Sequence, residues 1–387
     1  MIITFFKTTL FYLFDSVLLL FTASKSRSEK KNVLVVRVDA IGDFILWLDS
    51  AKTLRELYPE KEYTITVVVN EINLLLAETL TYFDNVYPVN RKKMIRNPFY
   101  RIKFLYKIKK YGFDIAIQPT FSREFSVGDS IIRASGAKER IGYDGDDSNI
   151  SVIQKKIIDK WYTKLVPSDV ELKMELIRNA EFIRYLGLKE FKADIPIIPS
   201  SSINNSEFKL NSDYFVIFPG AAVTWRQWNI ENFADIAVRM KKLTEWDIVI
   251  CGGPGEENLG EKLSSIIPCK ITDLTGKTSI LELISVIKGA KFLIANETSA
   301  IHIAAAVGVP SVCILGGGHY ERFVPYKIEK KADSPLPEPA VALMDCFGCN
   351  WKCKYYIKSS DKAPCIDKVS VDSVWNVINR VLSKYEN

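Results

Sequence analysis

The chain of 387 residues is long enough for two domains with a sizeable core in each, and its 48% hydrophobic and 25% charged content excludes a disordered or collagen-like protein. A net charge of +6, from 52 basic against 46 acidic residues, is too small a surplus to mark a nucleic-acid binder. The seven cysteines all fall between Cys251 and Cys365, an odd and uneven set that argues against an extracellular disulfide framework and for a reducing compartment.

Residues 1–21, MIITFFKTTLFYLFDSVLLLF, hold thirteen Ile, Leu, Phe or Val and as a helix would rise about 31 Å, roughly one hydrocarbon core. Asp15 and Lys7 oppose a span, while Thr4, Lys7, Thr8 and Asp15 share one arc of a helical wheel. A spanning helix, an interfacial helix and a helix packed on the domain all stay open; a cleaved signal fits less well because Asp15 interrupts the apolar run. Lys25, Arg27, Lys30 and Lys31 follow, and their charge predicts that the rest of the chain stays in the cytoplasm. Residues 1–31 are therefore expected to associate with the inner face of the plasma membrane, peripherally or as a single-pass tether.

From Asn32 the pattern alternates strand and helix. NVLVVRV (32–38), YTITVVV (63–69) and DIAIQP (114–119) read as strands, with helical spacing over 44–58. RKKMIRNPFYRIKFLYKIKK (91–110) carries nine Lys/Arg, no acid and interleaved aromatics; it fits either anionic head groups and a phosphorylated acceptor or a solvated helix face. VELKMELIRNAEFIRYLGL (170–188) is an amphipathic helix, and the Pro, Ser and Asn-rich stretch after it is the best linker. Strands at 214–220, 246–253, 291–297 and 311–318 then alternate with helical patterns at 230–243, 256–266, 279–288 and 299–307. The expectation is α/β: two Rossmann-like, doubly wound parallel sheets, 32–200 and 201–370, facing a cleft, with a final helix at 371–387 packing back on the first.

The chemistry-bearing residues sit at strand ends. Gly42-Asp43 stands where the first strand meets its helix, so Asp43 is either a helix N-cap or a carboxylate able to accept a proton from a substrate hydroxyl. In PGAAVTWRQW (219–228), Gly220 and Ala221 form a turn before Arg226, a fork suited to a pyrophosphate or an ordinary surface cation. Thr298 and Ser299 open a helix whose positive end favours an anion, with His302 one turn in, where a structural role is the alternative. Glu256 and Glu257 follow a strand, where a carboxylate grips ribose hydroxyls or fills a first helical turn. No Walker motif, complete dinucleotide fingerprint, HExxH or G-x-S-x-G occurs, which speaks against an ATPase, a dehydrogenase, a zinc protease and a lipase. Cys346, Cys349, Cys353 and Cys365 form a four-thiolate set for which a structural zinc leads over an iron–sulfur cluster, disulfide pairing and free thiols.

Taken together, residues 33–59, 218–237 and 295–317 resemble glycosyltransferase family 9, the ADP-heptose:lipopolysaccharide heptosyltransferases. The resemblance implies the GT-B architecture, an acceptor held mainly by the first domain and a nucleotide-diphosphate sugar by the second, and inverting transfer with no catalytic cofactor. On it, Asp43 is the general base, and Gly42, Gly220, Ala221, Arg226, Glu256 (or Glu257), Glu297, Thr298, Ser299 and His302 serve the donor. The sequence departs from the family where Glu297 replaces an Asp, Ser299 a Gly, and Asn229 a Pro, and where a Thr-Leu-Pro-Ala run reads Trp47-Leu48-Asp49-Ser50. The expected function is transfer of a heptose or related sugar from an ADP-linked donor to a lipid-linked or cell-surface glycan. A GT-B nucleotide-sugar epimerase and a catalytically silent membrane-tethered scaffold are the alternatives.

Overall fold

A computed structural model describes residues 11, 15, 16, 29–169, 171–203, 208, 210–332, 334–355 and 361–385. The chain divides into two compact units: residues 1–44, 50–171 and 178–191 form the first, and 45–49, 172–177 and 192–387 the second. Each is built on a six-stranded, all-parallel sheet, the arrangement expected when strands alternate with helices.

In the first unit the sheet order is β3-β2-β1-β4-β5-β6, from β1 (Lys31–Arg37), β2 (Tyr63–Asn70), β3 (Asn85–Val89), β4 (Ile115–Gln118), β5 (Glu139–Tyr143) and β6 (Lys164–Val166). The helices are α1 (Ile41–Lys52), α2 (Arg91–Arg96), α3 (Pro98–Tyr111), α4 (Ser130–Ser135), α5 (Val152–Ile158) and α6 (Glu175–Leu186), numbering those of six residues or more; residues 45–49 of α1 and 175–177 of α6 group with the second unit. β1 is buried from Asn32 to Arg37 because helices cover both its faces, which is why it reads as a continuous apolar run. Asn97 caps α3 by accepting from the Tyr100 N–H at 3.0 Å, and Pro98 stands at its first position. Leu105 and Ile108 of α3 and Met94 of α2 enter the core with Leu34, Val36 and Ile131.

The second sheet has the order β12-β11-β10-β7-β8-β9: β7 (Tyr214–Phe218), β8 (Asp247–Ile250), β9 (Ile271–Asp273), β10 (Phe292–Asn296), β11 (Ser311–Ile314) and β12 (Glu338–Ala340). Its helices are α7 (Ile230–Thr244), α8 (Glu257–Ile266), α9 (Ile280–Gly289), α10 (Ser299–Val307) and α11 (Val371–Tyr385). Ser279 and Glu282 form a reciprocal capping box at the start of α9.

One expectation needs correction. The C-terminal helix was expected on the first domain, but Val374, Ile378, Val381 and Leu382 of α11 join the core of the second unit with Ile314, Val312 and Met240. Its strongly one-sided apolar face is used on the sheet beside it. The N-terminal tether falls mostly outside the described residues. Of it, Asp15 is buried against α3 in a two-pronged ion pair with Arg101, at 2.9 and 2.5 Å, and the Phe11 ring covers the same guanidinium at 4.4 Å. No helix among the described residues is long and apolar enough to cross a membrane.

Candidate active site

In the first unit the segment between β1 and α1 is fastened from three strand ends. Arg37, 1% exposed, donates from Nη2 to the Asp43 carbonyl at 2.9 Å and from Nη1 to the Pro119 carbonyl at 3.3 Å, and its Nε pairs with Asp39 at 3.1 Å. The Thr120 hydroxyl donates to Asp39 Oδ2 at 2.8 Å, and the Asn73 amide donates to the Asp39 carbonyl at 3.2 Å. Ala40, not Asp43, occupies the N-cap of α1, and Asp43 lies in the first turn, half-buried. The capping alternative for Asp43 therefore falls away. Its carboxylate lies near the positive end of α1. Arg37 and Asp39 were not singled out from sequence; the legible signal was a charged pair at the end of an otherwise apolar strand.

In the second unit, the carboxyl ends of β7, β8 and β10 bring the predicted donor residues into two groups. The first is the Gly220 turn with Glu256. The Glu256 carboxylate accepts from the Gly253 N–H at 2.8 Å, and a Cβ on Gly220 would lie 2.1–2.3 Å from it. Burial pushes the Glu256 carboxyl up. Glu257, by contrast, is exposed in the first turn of α8 and accepts from the Gly255 N–H at 3.0 Å, so Glu256 is the better-placed of the two. Asn296, fully buried at the end of β10, ties this turn down: its amide donates to the Pro219 carbonyl at 2.6 Å and its oxygen accepts from the Trp228 N–H at 3.1 Å.

The second group surrounds the N-terminus of α10. Thr298 is the N-cap, and its hydroxyl is buried with no hydrogen-bond partner in the described structure. Arg226 Nε and Glu297 Oε1 are likewise buried and unpartnered. The Arg226 guanidinium stacks on Trp351 at 4.1 Å and faces Trp225 at 5.0 Å. His319 Nδ1 lies 3.8 Å from Glu297 Oε1, and its Nε2 meets Asn350 Oδ1 at 3.0 Å. Burial raises the Glu297 carboxyl to about 8, against the pull of Arg226 and Arg322, so it is neutral at pH 7. His319 is lowered to about 4, first by burial and then by Arg322 and Arg226. The charge of the niche is therefore set by Arg226 and by Arg322, the latter paired with Glu175 at 3.6 Å, at a helix N-terminus where three buried polar atoms make no hydrogen bond in the described structure. A diphosphate, with acceptors for every donor, meets that demand.

Sequence reasoning missed His319, Trp351 and Arg322. His302 is placed one turn into α10 as expected, but buried, with Nδ1 2.8 Å from the Tyr326 hydroxyl; burial lowers it to about 4. Ser299 begins α10, Ala221 follows the Gly220 turn, and Gly42 lies within α1. The four-cysteine zinc site gains no support. All four thiols are free, and among the described residues no group of three or more His, Cys, Asp or Glu is gathered to hold a metal. Cys365 instead packs in the apolar core of the second unit.

The family model described as glycosyltransferase family 9 (heptosyltransferase) matches residues 101–339. A lipopolysaccharide core heptosyltransferase from Haemophilus influenzae, OpsX, is 21% identical over 311 residues, covering 76% of this chain and 82% of that one. Among solved structures, Escherichia coli ADP-heptose lipopolysaccharide heptosyltransferase II superposes with a TM-score of 0.66 at 15% identity, covering 92% of this chain and 100% of its own. E. coli heptosyltransferase WaaC with ADP-2-deoxy-2-fluoro heptose gives 0.65 at 16% identity, covering 90% and 99%. These structural likenesses carry the GT-B fold, and the family match spans more than half of the sequence. The chain belongs to glycosyltransferase family 9 and is a glycosyltransferase.

Proposed function

We propose that this enzyme moves a heptose or related sugar from an ADP-linked donor to a lipid-linked glycan such as a lipopolysaccharide core, with inversion at the anomeric carbon, without a catalytic metal, at the inner membrane surface. The observation that carries the reading is the niche at the start of α10, where Arg226, Thr298 and Glu297 hold buried, unpartnered polar atoms. Relatives that act on lipopolysaccharide core, and a similar structure holding an ADP-sugar analogue, support the choice of donor and acceptor.

In this mechanism the acceptor hydroxyl gives its proton to Asp43 as its oxygen attacks C1 of the sugar. The bond from C1 to the donor phosphate oxygen breaks, and the electron pair leaves on the diphosphate. Arg226 and the N-terminus of α10 stabilise that developing charge, and Glu256 grips the ribose. Asp43→Asn should lower acceptor-dependent ADP release by about 10²–10⁴-fold while leaving the affinity for ADP unchanged. Full transfer by this variant with a radiolabelled donor would overturn Asp43 as the base.

A further inference from the structure

Helix α3 has two faces of opposite character. Inward, Leu105 and Ile108 pack in the core and Arg101 is buried on Asp15. Outward, Phe99, Lys103, Tyr106, Lys107 and Lys110 are all exposed and follow one another at helical spacing, so they form a single stripe. Phe99 is 82% exposed, an unusual position for a large aromatic ring. Beside the stripe, between α3 and the edge strand β3, runs a groove of about 690 Å³ lined by Tyr87, Pro88, Tyr100, Phe104 and Tyr111 along with the lysines. Lys107 lies over the Tyr87 ring at 3.8 Å.

The charge of this face is one-signed. Within 91–110, Arg91 pairs with Glu124 and Arg101 with Asp15. Among the described residues, none of Lys92, Lys93, Arg96, Lys103, Lys107 and Lys110 is in an ion pair. Tyrosine and phenylalanine rings set among lysines suit the boundary between head groups and acyl chains, where the rings enter and the ammonium groups stay with the phosphates. A peptide strand adding to β3 is the less suitable occupant, because Pro88 in this five-residue strand has no N–H to offer.

We infer that the outer face of α3, with the groove against β3, docks the enzyme on an anionic bilayer. This deepens the reading above, on which it rests for the lipid-linked acceptor, and assigns a surface to the membrane contact.

The test is co-sedimentation of the full chain with vesicles of phosphatidylglycerol and phosphatidylcholine, or of phosphatidylcholine alone. The wild type should pellet with the anionic vesicles and be released by salt. The variant Lys103→Glu, Lys107→Glu, Lys110→Glu should lose at least tenfold in vesicle affinity. Phe99→Ser, at a position too exposed to disturb the core, should weaken binding by severalfold. Both variants should keep wild-type ADP affinity and wild-type transfer to a short-chain, water-soluble acceptor. Equal binding to neutral and anionic vesicles, or unchanged binding by the triple variant, overturns the inference. So does failure to pellet with either vesicle, which would turn the groove over to an acidic protein partner. Loss of transfer by Asp43→Asn with vesicle binding intact, or the reverse, separates the fate of this inference from that of the proposed reaction.

Discussion

On the proposed reading, Glu297 sets the pH dependence of donor binding. Its carboxyl, raised to about 8 by burial, is neutral when the site is set to receive an anion near pH 7. Above about 8 it ionises 3.8 Å from His319 and close to Arg226, and its charge would oppose a diphosphate. ADP affinity should therefore fall as pH rises from 7 to 9, by up to about tenfold per unit beyond the pKa. Glu297→Gln should bind ADP as tightly as wild type at pH 7 and stay flat to pH 9. Calorimetry at three pH values checks this, and a parallel decline in both proteins would rule it out. The same shift has a stability sign. Because the folded value lies above the unfolded 4.5, the stabilising contribution is complete below 4.5 and is lost as pH rises through about 8.

At the scale of elements, the turn after β7 and the loop before α8 form one device. Gly220 leaves the space that the Glu256 carboxylate fills. Gly220→Ala should displace the far end of that flexible side chain at a cost within about 1 kcal/mol in stability, while weakening ADP binding as much as Glu256→Ala does. The double variant should be no weaker than either alone, because both remove the same contact. Thermal melts and ADP calorimetry on the three proteins separate the two effects; additive losses would break the coupling. The two turns were legible in the sequence, each a buried strand running into glycine before a helix, but the choice of Glu256 over Glu257 and its fit against Gly220 were not, because they depend on how two loops meet. β1, β2, β4, β7, β8, β10 and β11 were legible because each carries a run of β-branched or other apolar residues bounded by polar or glycine positions. β5 (ERIGY) and β9 (ITD) were not, because their polar residues hide the pattern. His319, Arg322 and Trp351 come from irregular segments with no periodicity, and only the folded chain brings them to Arg226 and Glu297.

For the whole molecule, the Pro, Ser and Asn-rich stretch near residue 200 suggested a single division of the chain, yet the second unit begins at Lys192 and also takes in 45–49 and 172–177. Such short contributions leave no mark on composition, and they matter. Glu175, from the 172–177 segment, donates its backbone N–H to the Arg322 carbonyl at 2.8 Å and sets its carboxylate 3.6 Å from that guanidinium. A protein of residues 192–387 alone should therefore melt lower than the full chain and bind ADP at least tenfold more weakly. Wild-type affinity in that fragment, by calorimetry, would show that the borrowed segments are dispensable. The sheets also bear on how the protein behaves at high concentration. All four of their outer strands are poor templates: β6, β9 and β12 have three residues each, and β3 and β12 contain Pro88 and Pro339. Twelve parallel strands in two open sheets would otherwise invite edge-to-edge aggregation during slow folding, and this chain closes that route with short strands and two missing backbone donors.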